Sequence, residues 1–184
     1  AFPPYLFFDG VDDSLLTNSV DFSAGDKMTV WAGLTKSSDT TTALIVEMSA
    51  TWSANNGTFA WGLSAGASNY FMALRGDTLG AYFLTSFAAP ITNVLSCSYN
   101  IGAASLATEI VPRANGATPT LTVDQPAAGT GNLGNYPLYI GRRNNANLPL
   151  NGNIYSLVIA GASYSAAQIS SMEKWVAAKT PITI

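Results

Sequence analysis

The chain has 184 residues and a mass of 19.2 kDa, yet only 10% of its residues are charged, against roughly 25% in a typical soluble domain. With no histidine and only Cys97, it cannot form Ser-His or Cys-His dyads, histidine-ligated zinc, thiolate metal sites or an intrachain disulfide. Eight Lys and Arg against eleven Asp and Glu give a net charge of −3, the wrong balance for gripping nucleic-acid phosphates. A folded surface of about 8,400 Å² must then be covered largely by hydroxyls, amides and small apolar groups. The 18 serines and 18 threonines fit that requirement. No apolar run approaches the ~20 residues of a membrane-spanning helix. The opening AFPPYLFF lacks a basic segment and a long apolar stretch, so it does not read as a signal peptide.

In chain order, short apolar segments alternate with Gly, Asn, Ser and Thr, the pattern of an all-β sandwich. Strands are predicted at 5–8, 28–35, 43–49, 58–64, 69–75, 79–84, 91–99, 106–112, 119–123, 138–142 and 152–160. In the second of these, Met28, Val30, Ala32 and Leu34 fall on one face; Phe59, Trp61 and Leu63 repeat the two-residue period. Trp31 and Trp61 sit within strand patterns and are expected in the core. Asn-Gly at 56–57, 115–116 and 151–152 can supply the positive φ that tight turns demand. Cys97 reads as a small buried hydrophobe. No composition break divides the chain, so residues 1–184 read as one domain.

One helix is predicted, at about 165–179. Ser165 caps it, and Gln168 three residues later completes a capping box. Ile169, Met172, Trp175 and Val176 form an apolar stripe, and Pro181 lies beyond its end. The stripe is expected to pack on an edge or open end of the sandwich, with Trp175 as its anchor.

Four stretches then carry a resemblance: YLFFDGVDD (5–13), EIVPRANGA (109–117), YPLYIGRRNNANLPLNGNIYSLVIAG (136–161) and the Ser-capped helix. In this order they resemble the laminin-G-like jelly roll of the concanavalin A-like superfamily. The implied fold is an all-β, antiparallel two-sheet jelly-roll sandwich with one C-terminal α-helix. The ending AAQISSMEKWVAAKTPITI resembles single-domain members in phage genomes and modules of phage tail and virion proteins. That resemblance implies a virion-associated role in recognition or structure.

Glycosidases of this superfamily need two carboxylates flanking a sugar bond, and family-16 glucanases set them as E-x-D-x-E. Glu47, Glu109 and Glu173 are the only glutamates, and none begins such a pattern, so no catalytic residue is assigned. Asp9, Asp12 and Asp13 are the densest acidic cluster. They can offer oxygens to Ca²⁺ or accept N–H bonds within a turn, and the resemblance favours the turn. The loop Arg142, Arg143, Asn144, Asn145, Ala146, Asn147 concentrates guanidinium and amide groups that match sugar hydroxyls or carboxylates. Alternatively, its arginines pair with acids of a neighbouring strand. Tyr136 and Trp52 complete the candidate glycan- or partner-binding set. Trp52 is read either as a sugar platform or as edge packing.

The expected function is a non-enzymatic module on the surface of a phage particle, at tail or capsid. It would act in particle structure and in recognising host-surface glycans, with other virion proteins or glycans as partners, as a homo-oligomer or in several copies on a particle, and with no cofactor. The alternatives are a structural capsid-decoration or tail-assembly subunit without sugar affinity, and a glycoside hydrolase.

Overall fold

The computed structural model describes residues 3–144 and 146–184. Two antiparallel sheets face each other. The five-stranded sheet runs in the order β1 (Leu6–Asp9), β14 (Asn151–Ala160), β4 (Lys27–Lys36), β9 (Ile91–Asn100) and β10 (Ile110–Ala114). The seven-stranded sheet runs β11 (Leu121–Pro126), β8 (Leu79–Thr85), β7 (Asn69–Arg75), β6 (Thr58–Leu63), β5 (Ala43–Met48), β13 (Leu138–Ile140) and β2 (Leu15–Leu16). A two-residue ribbon pairs β12 (Asn135–Tyr136) with β3 (Val20–Asp21).

The alternation read from the sequence decides the faces. Met28, Val30, Ala32 and Leu34 of β4 meet Phe59, Trp61 and Leu63 of β6 in the main core between the sheets. Two buried hydrogen bonds cross that core. The Trp61 indole donates to Tyr99 Oη at 2.6 Å, and the Asn93 amide donates to Tyr70 Oη at 3.0 Å. Large aromatics can sit here because their polar ends have partners. Cys97 is buried and free, and burial pushes its thiol pKa up. Asn115 and Gly116 both take positive φ and turn the chain from β10 back on itself, as read. Asn151 and Gly152, by contrast, are not a turn but the first paired residues of β14. Gly152 lies so close to β4 that a Cβ would meet the Thr35 carbonyl.

The helix α2 (Ala166–Ala177) has the expected capping box: Ser165 N–H donates to Gln168 Oε1 at 2.9 Å, and Gln168 N–H returns to Ser165 Oγ at 3.4 Å. Its position differs from expectation. It lies on the outer face of the five-stranded sheet, over β4 and β9, rather than at an edge or open end. Val176, Ala177, Ile169 and Met172 pack there with Trp31 and Val94, so Trp31 belongs to this smaller core and not to the main one. Trp175 is not the anchor: it is 48% exposed, on the helix flank. The anchor is polar. Glu173 is buried, accepting from Ser96 Oγ at 2.6 Å and Arg113 Nε at 2.7 Å. Gly33 lets the end of the helix approach, since a Cβ there would stand 1.9 Å from Thr180 Oγ1.

Residues 106–112 were expected as strand, but Leu106–Glu109 form a single helical turn, α1, before β10 begins. Ser105 N–H donates to Thr108 Oγ1 at 3.2 Å, and the buried Glu109 carboxylate accepts the Ala128 N–H at 2.7 Å. These local bonds outweigh the strand propensity of the segment.

Candidate functional site

The outer face of the seven-stranded sheet carries a cleft. An irregularity in β5 between Leu44 and Val46 shifts the register, so Leu44 and Glu47 both point outward while Ile45, Val46 and Met48 enter the core. Across the sheet, Glu47 stands between Tyr139 of β13 and Ala60 of β6, and Leu44 stands opposite Gly62, which neighbours Phe71. The small residues Ala60 and Gly62 keep the floor low between large neighbours.

Two loops wall the cleft. Residues 49–57, after β5, are held by Asn55, whose Oδ1 accepts the N–H groups of Ala50 at 3.0 Å and Thr51 at 2.5 Å. That turn sets Trp52 against Leu44, Phe71 and Leu148. Residues 141–144 and 146–150 return over β5, with Leu44 N–H donating to Leu148 C=O at 2.9 Å. Their hairpin closes on the mutual bonds Arg143 N–H to Asn147 C=O, 2.7 Å, and Asn147 N–H to Arg143 C=O, 3.0 Å. Gly141 is required at its base: its φ is +77°, and a Cβ would collide with the Phe8 ring.

Glu47 is 1% exposed. Its carboxylate accepts from Ser49 Oγ at 2.6 Å, Arg143 Nε at 2.6 Å and Arg143 Nη2 at 2.5 Å. The guanidinium so fixed lies 5.6 Å from the Trp52 ring centroid, and Arg75, from the end of β7, lies 5.5 Å from the same ring. Among the described residues the Arg75 side chain makes no hydrogen bond or ion pair, and its Nε is buried without a partner. Two guanidinium groups against one carboxylate leave this part of the surface net positive on a chain of charge −3.

Trp52 and Arg143 divide the cleft in two. The polar half, about 250 Å³, is lined by Glu47, Ser49, Thr51, Tyr139, Asn144 and Asn147, with Tyr139 Oη donating to Asn144 Oδ1 at 3.1 Å. The apolar half, about 220 Å³, is lined by Leu44, Leu63, Phe71, Phe83 and Leu148. Such a pair of halves can hold a molecule with one apolar face and a polar rim. Among the described lining residues Glu47 is the one carboxylate, whereas hydrolysis of a glycosidic bond by a carboxylate pair calls for two.

Of the residues singled out in the sequence, Arg143, Asn144, Asn147 and Trp52 converge here. Asn145 lies outside the described residues. Arg142 turns away: its Nη1 donates to Asp12 C=O at 3.1 Å and its Nη2 to Ala146 C=O at 3.2 Å. Tyr136 is also elsewhere, in the ribbon with β3, partly buried against the main core. Trp52 is a wall flanked by two arginines, not an open platform. The Asp9–Asp13 cluster makes the turn: Asp13 accepts the Asp9 N–H at 3.0 Å, and Asp9 accepts the Val11 N–H at 2.8 Å.

Sequence reasoning missed Arg75, Tyr139 and the role of Glu47. A glutamate inside the apolar run ALIVEM did carry a signal, because a buried acid needs a partner. For Arg75 there was none, since only the pairing of β6 with β7 brings it to Trp52.

No protein-family model matches the chain, and no curated protein matches it. Solved structures do. A heptameric SAP-like pentraxin from Limulus polyphemus aligns with a TM-score of 0.63 at 12% identity, over 91% of this chain and 80% of that one. The CBM40 of a Ruminococcus gnavus sialidase, bound to α2,3-sialyllactose, aligns with 0.61 at 13% identity, over 86% of this chain and 98% of that one. Mouse laminin α1 domains LG4-5 give 0.61 at 10%, over 91% and 45%. The chain therefore has the laminin-G-like, concanavalin A-like jelly-roll fold.

Proposed function

We propose that the chain is a non-enzymatic binding module that takes an acidic glycan in the cleft around Trp52. The observation that carries this reading is the pair of guanidinium groups, Arg75 and Arg143, against one aromatic wall, with Arg75 uncommitted among the described residues. Planar guanidinium suits carboxylates through paired N–H donors. The amides and hydroxyls of the polar half suit ring hydroxyls, and Phe71, Phe83 and Leu44 suit an apolar sugar face. The similarity to a CBM40 solved with sialyllactose is in keeping with a carboxylated sugar. The reading extends to display on a phage particle, where repeated weak contacts gain avidity; the phage-like C-terminal sequence supports it.

The test is titration of the 184-residue chain with sialylated, uronate-containing and neutral oligosaccharides. The acidic ones should bind, weaken with salt, and lose about tenfold in affinity with Arg75→Ala, the loss of one charged hydrogen bond. Equal binding of neutral sugars, or none of any class, overturns the reading. Copurification with virions tests the particle assignment.

A second reading, a subunit that packs in a particle without sugar affinity, is favoured by an apolar groove of about 660 Å³ beside α2. It is lined by Trp31, Val158, Tyr164, Met172 and Trp175. Burial of the groove between subunits in a particle reconstruction, with the Trp52 cleft also covered, would support this reading over the first.

A further inference from the structure

Of the four edges of the two main sheets, three are protected against strand pairing. β10 contains Pro112; β11 contains Pro126 and a register break between Val123 and Gln125; β2 is two residues long. Proline, irregularity and shortness are the usual means of keeping a sheet edge from pairing. The fourth edge, β1, is short, LFFD, and follows Pro3 and Pro4, but no proline or register break interrupts residues 5–9.

The hydrogen-bonding sense of β1 follows from two bonds. Asp9 N–H donates to Asp13, so it points away from β14. Asn151, opposite Asp9, sends its carbonyl the other way, to Ser37 N–H at 3.0 Å on the side of β4. Antiparallel pairs alternate in sense, so Leu6 and Phe8 bond β14, while Tyr5, Phe7 and Asp9 face the free edge. Asp13 occupies the Asp9 N–H; among the described residues the Phe7 N–H and C=O have no partner on that side.

The same side of the sandwich, where β1 ends one sheet and β2 the other, exposes Tyr5, Leu6, Phe7, Val11, Leu15 and Leu16. These are six of the ten exposed large hydrophobic residues described, within twelve residues of sequence, and Phe7 is 62% exposed. At roughly 100 Å² for each such side chain, full burial of all six on both copies covers at most about 1,200 Å², the lower limit for a specific interface.

We propose that β1 pairs with β1 of a second copy of this chain about a two-fold axis at Phe7, joining the two five-stranded sheets into one. Phe7 exchanges N–H···O=C bonds with Phe7 of the second copy, and Tyr5 N–H reaches Asp9 C=O of the second copy in both directions. The arrangement is closed. Any other edge of the chain presents proline, irregularity or a stub, so β1 finds an open partner only in another β1, which gives a dimer and not a filament. The Trp52 cleft lies on the other sheet and stays open, so two clefts are carried by one dimer.

The experiment is analytical ultracentrifugation of the 184-residue chain at 1–100 μM, with oxidation of the Phe7→Cys variant. A hydrogen-bonded antiparallel pair sets Cα atoms about 5.5 Å apart, within disulfide reach. Phe7→Cys should therefore form a covalent dimer under mild oxidant, at least tenfold faster than Thr118→Cys beyond β10. Cys97 is buried and does not compete. Phe7→Lys sets two ammonium groups opposite each other and should yield a folded monomer, whose melting temperature matches that of the wild type at dilutions where it is monomeric and no longer rises with concentration. A wild-type chain monomeric at 100 μM overturns the proposal. So does a dimer that survives Phe7→Lys, or a Phe7→Cys variant that oxidises no faster than the control.

Discussion

Replacing Arg143 with alanine strips the buried Glu47 carboxylate of two short charged hydrogen bonds and leaves it Ser49 alone. Glu47 is 1% exposed, whereas the Arg143 side chain is 28% exposed, so the cost lies mainly in the stranded acid. Breaking such a pair from one side costs about 3 kcal/mol, the lower end of the range for fully buried pairs, because the arginine is already partly hydrated. For 184 residues the unfolding entropy gives about 0.4 kcal/mol per degree at the midpoint, hence a fall of about 8 °C. Glu47→Gln alone should cost less, about 1–2 kcal/mol, since the freed guanidinium can take water. The double variant Arg143→Ala with Glu47→Gln removes the stranded charge and should recover at least half of the loss. Urea denaturation of the four proteins closes the cycle, with an expected coupling of about 2.5 kcal/mol or more. A single-variant loss below 1 kcal/mol, or a coupling near zero, would refute the claim that Glu47 fixes Arg143 as the wall of the cleft.

Tyr99→Phe removes the acceptor of the buried Trp61 N–H and should cost about 1–3 kcal/mol, read by urea denaturation with an unchanged m-value. Glu173→Ala cuts α2 loose from Ser96 and Arg113. Hydrogen exchange should rise first in Ala166–Ala177, while protection of the main core persists. Acid should also act through Asp39. Burial opposes its ionisation, but the Ala89 N–H and the Lys36 ammonium outweigh this and hold its carboxyl below the usual range. Its contribution to stability is thus complete above the unfolded pKa near 4 and fades as pH falls through the lower folded value. Asp39→Asn should flatten the stability loss below pH 4; an unchanged slope contradicts the assignment.

The sandwich was legible because its period-two pattern is strong: the inward rows of β4 and β6 lie where alternation placed them, and the Ser165–Gln168 box starts the helix where expected. What escaped the sequence depends on partners distant in the chain. Trp175 shares the apolar stripe of α2, yet Val176, Glu173 and Met172 reach the sheet first, because the helix lies on a face rather than across an end. The candidate site was half legible. Arg143, Asn144, Asn147 and Trp52 meet in one cleft, but adjacent Arg142 points the opposite way to the Asp12 carbonyl. Tyr136 is drawn into the ribbon with Val20. Arg75 enters only through the register Thr58 opposite Arg75, which sequence spacing does not encode.

The proposed selection of carboxylated sugars in the cleft around Trp52 depends on Arg75 and Arg143. Calorimetric titration with 3′-sialyllactose and with lactose, for the wild type and Arg75→Ala, tests it most directly. The expected result is saturable binding of the sialylated sugar alone, weakened about tenfold by the substitution at an unchanged melting temperature. Equal affinity for lactose, or binding indifferent to Arg75, would contradict it.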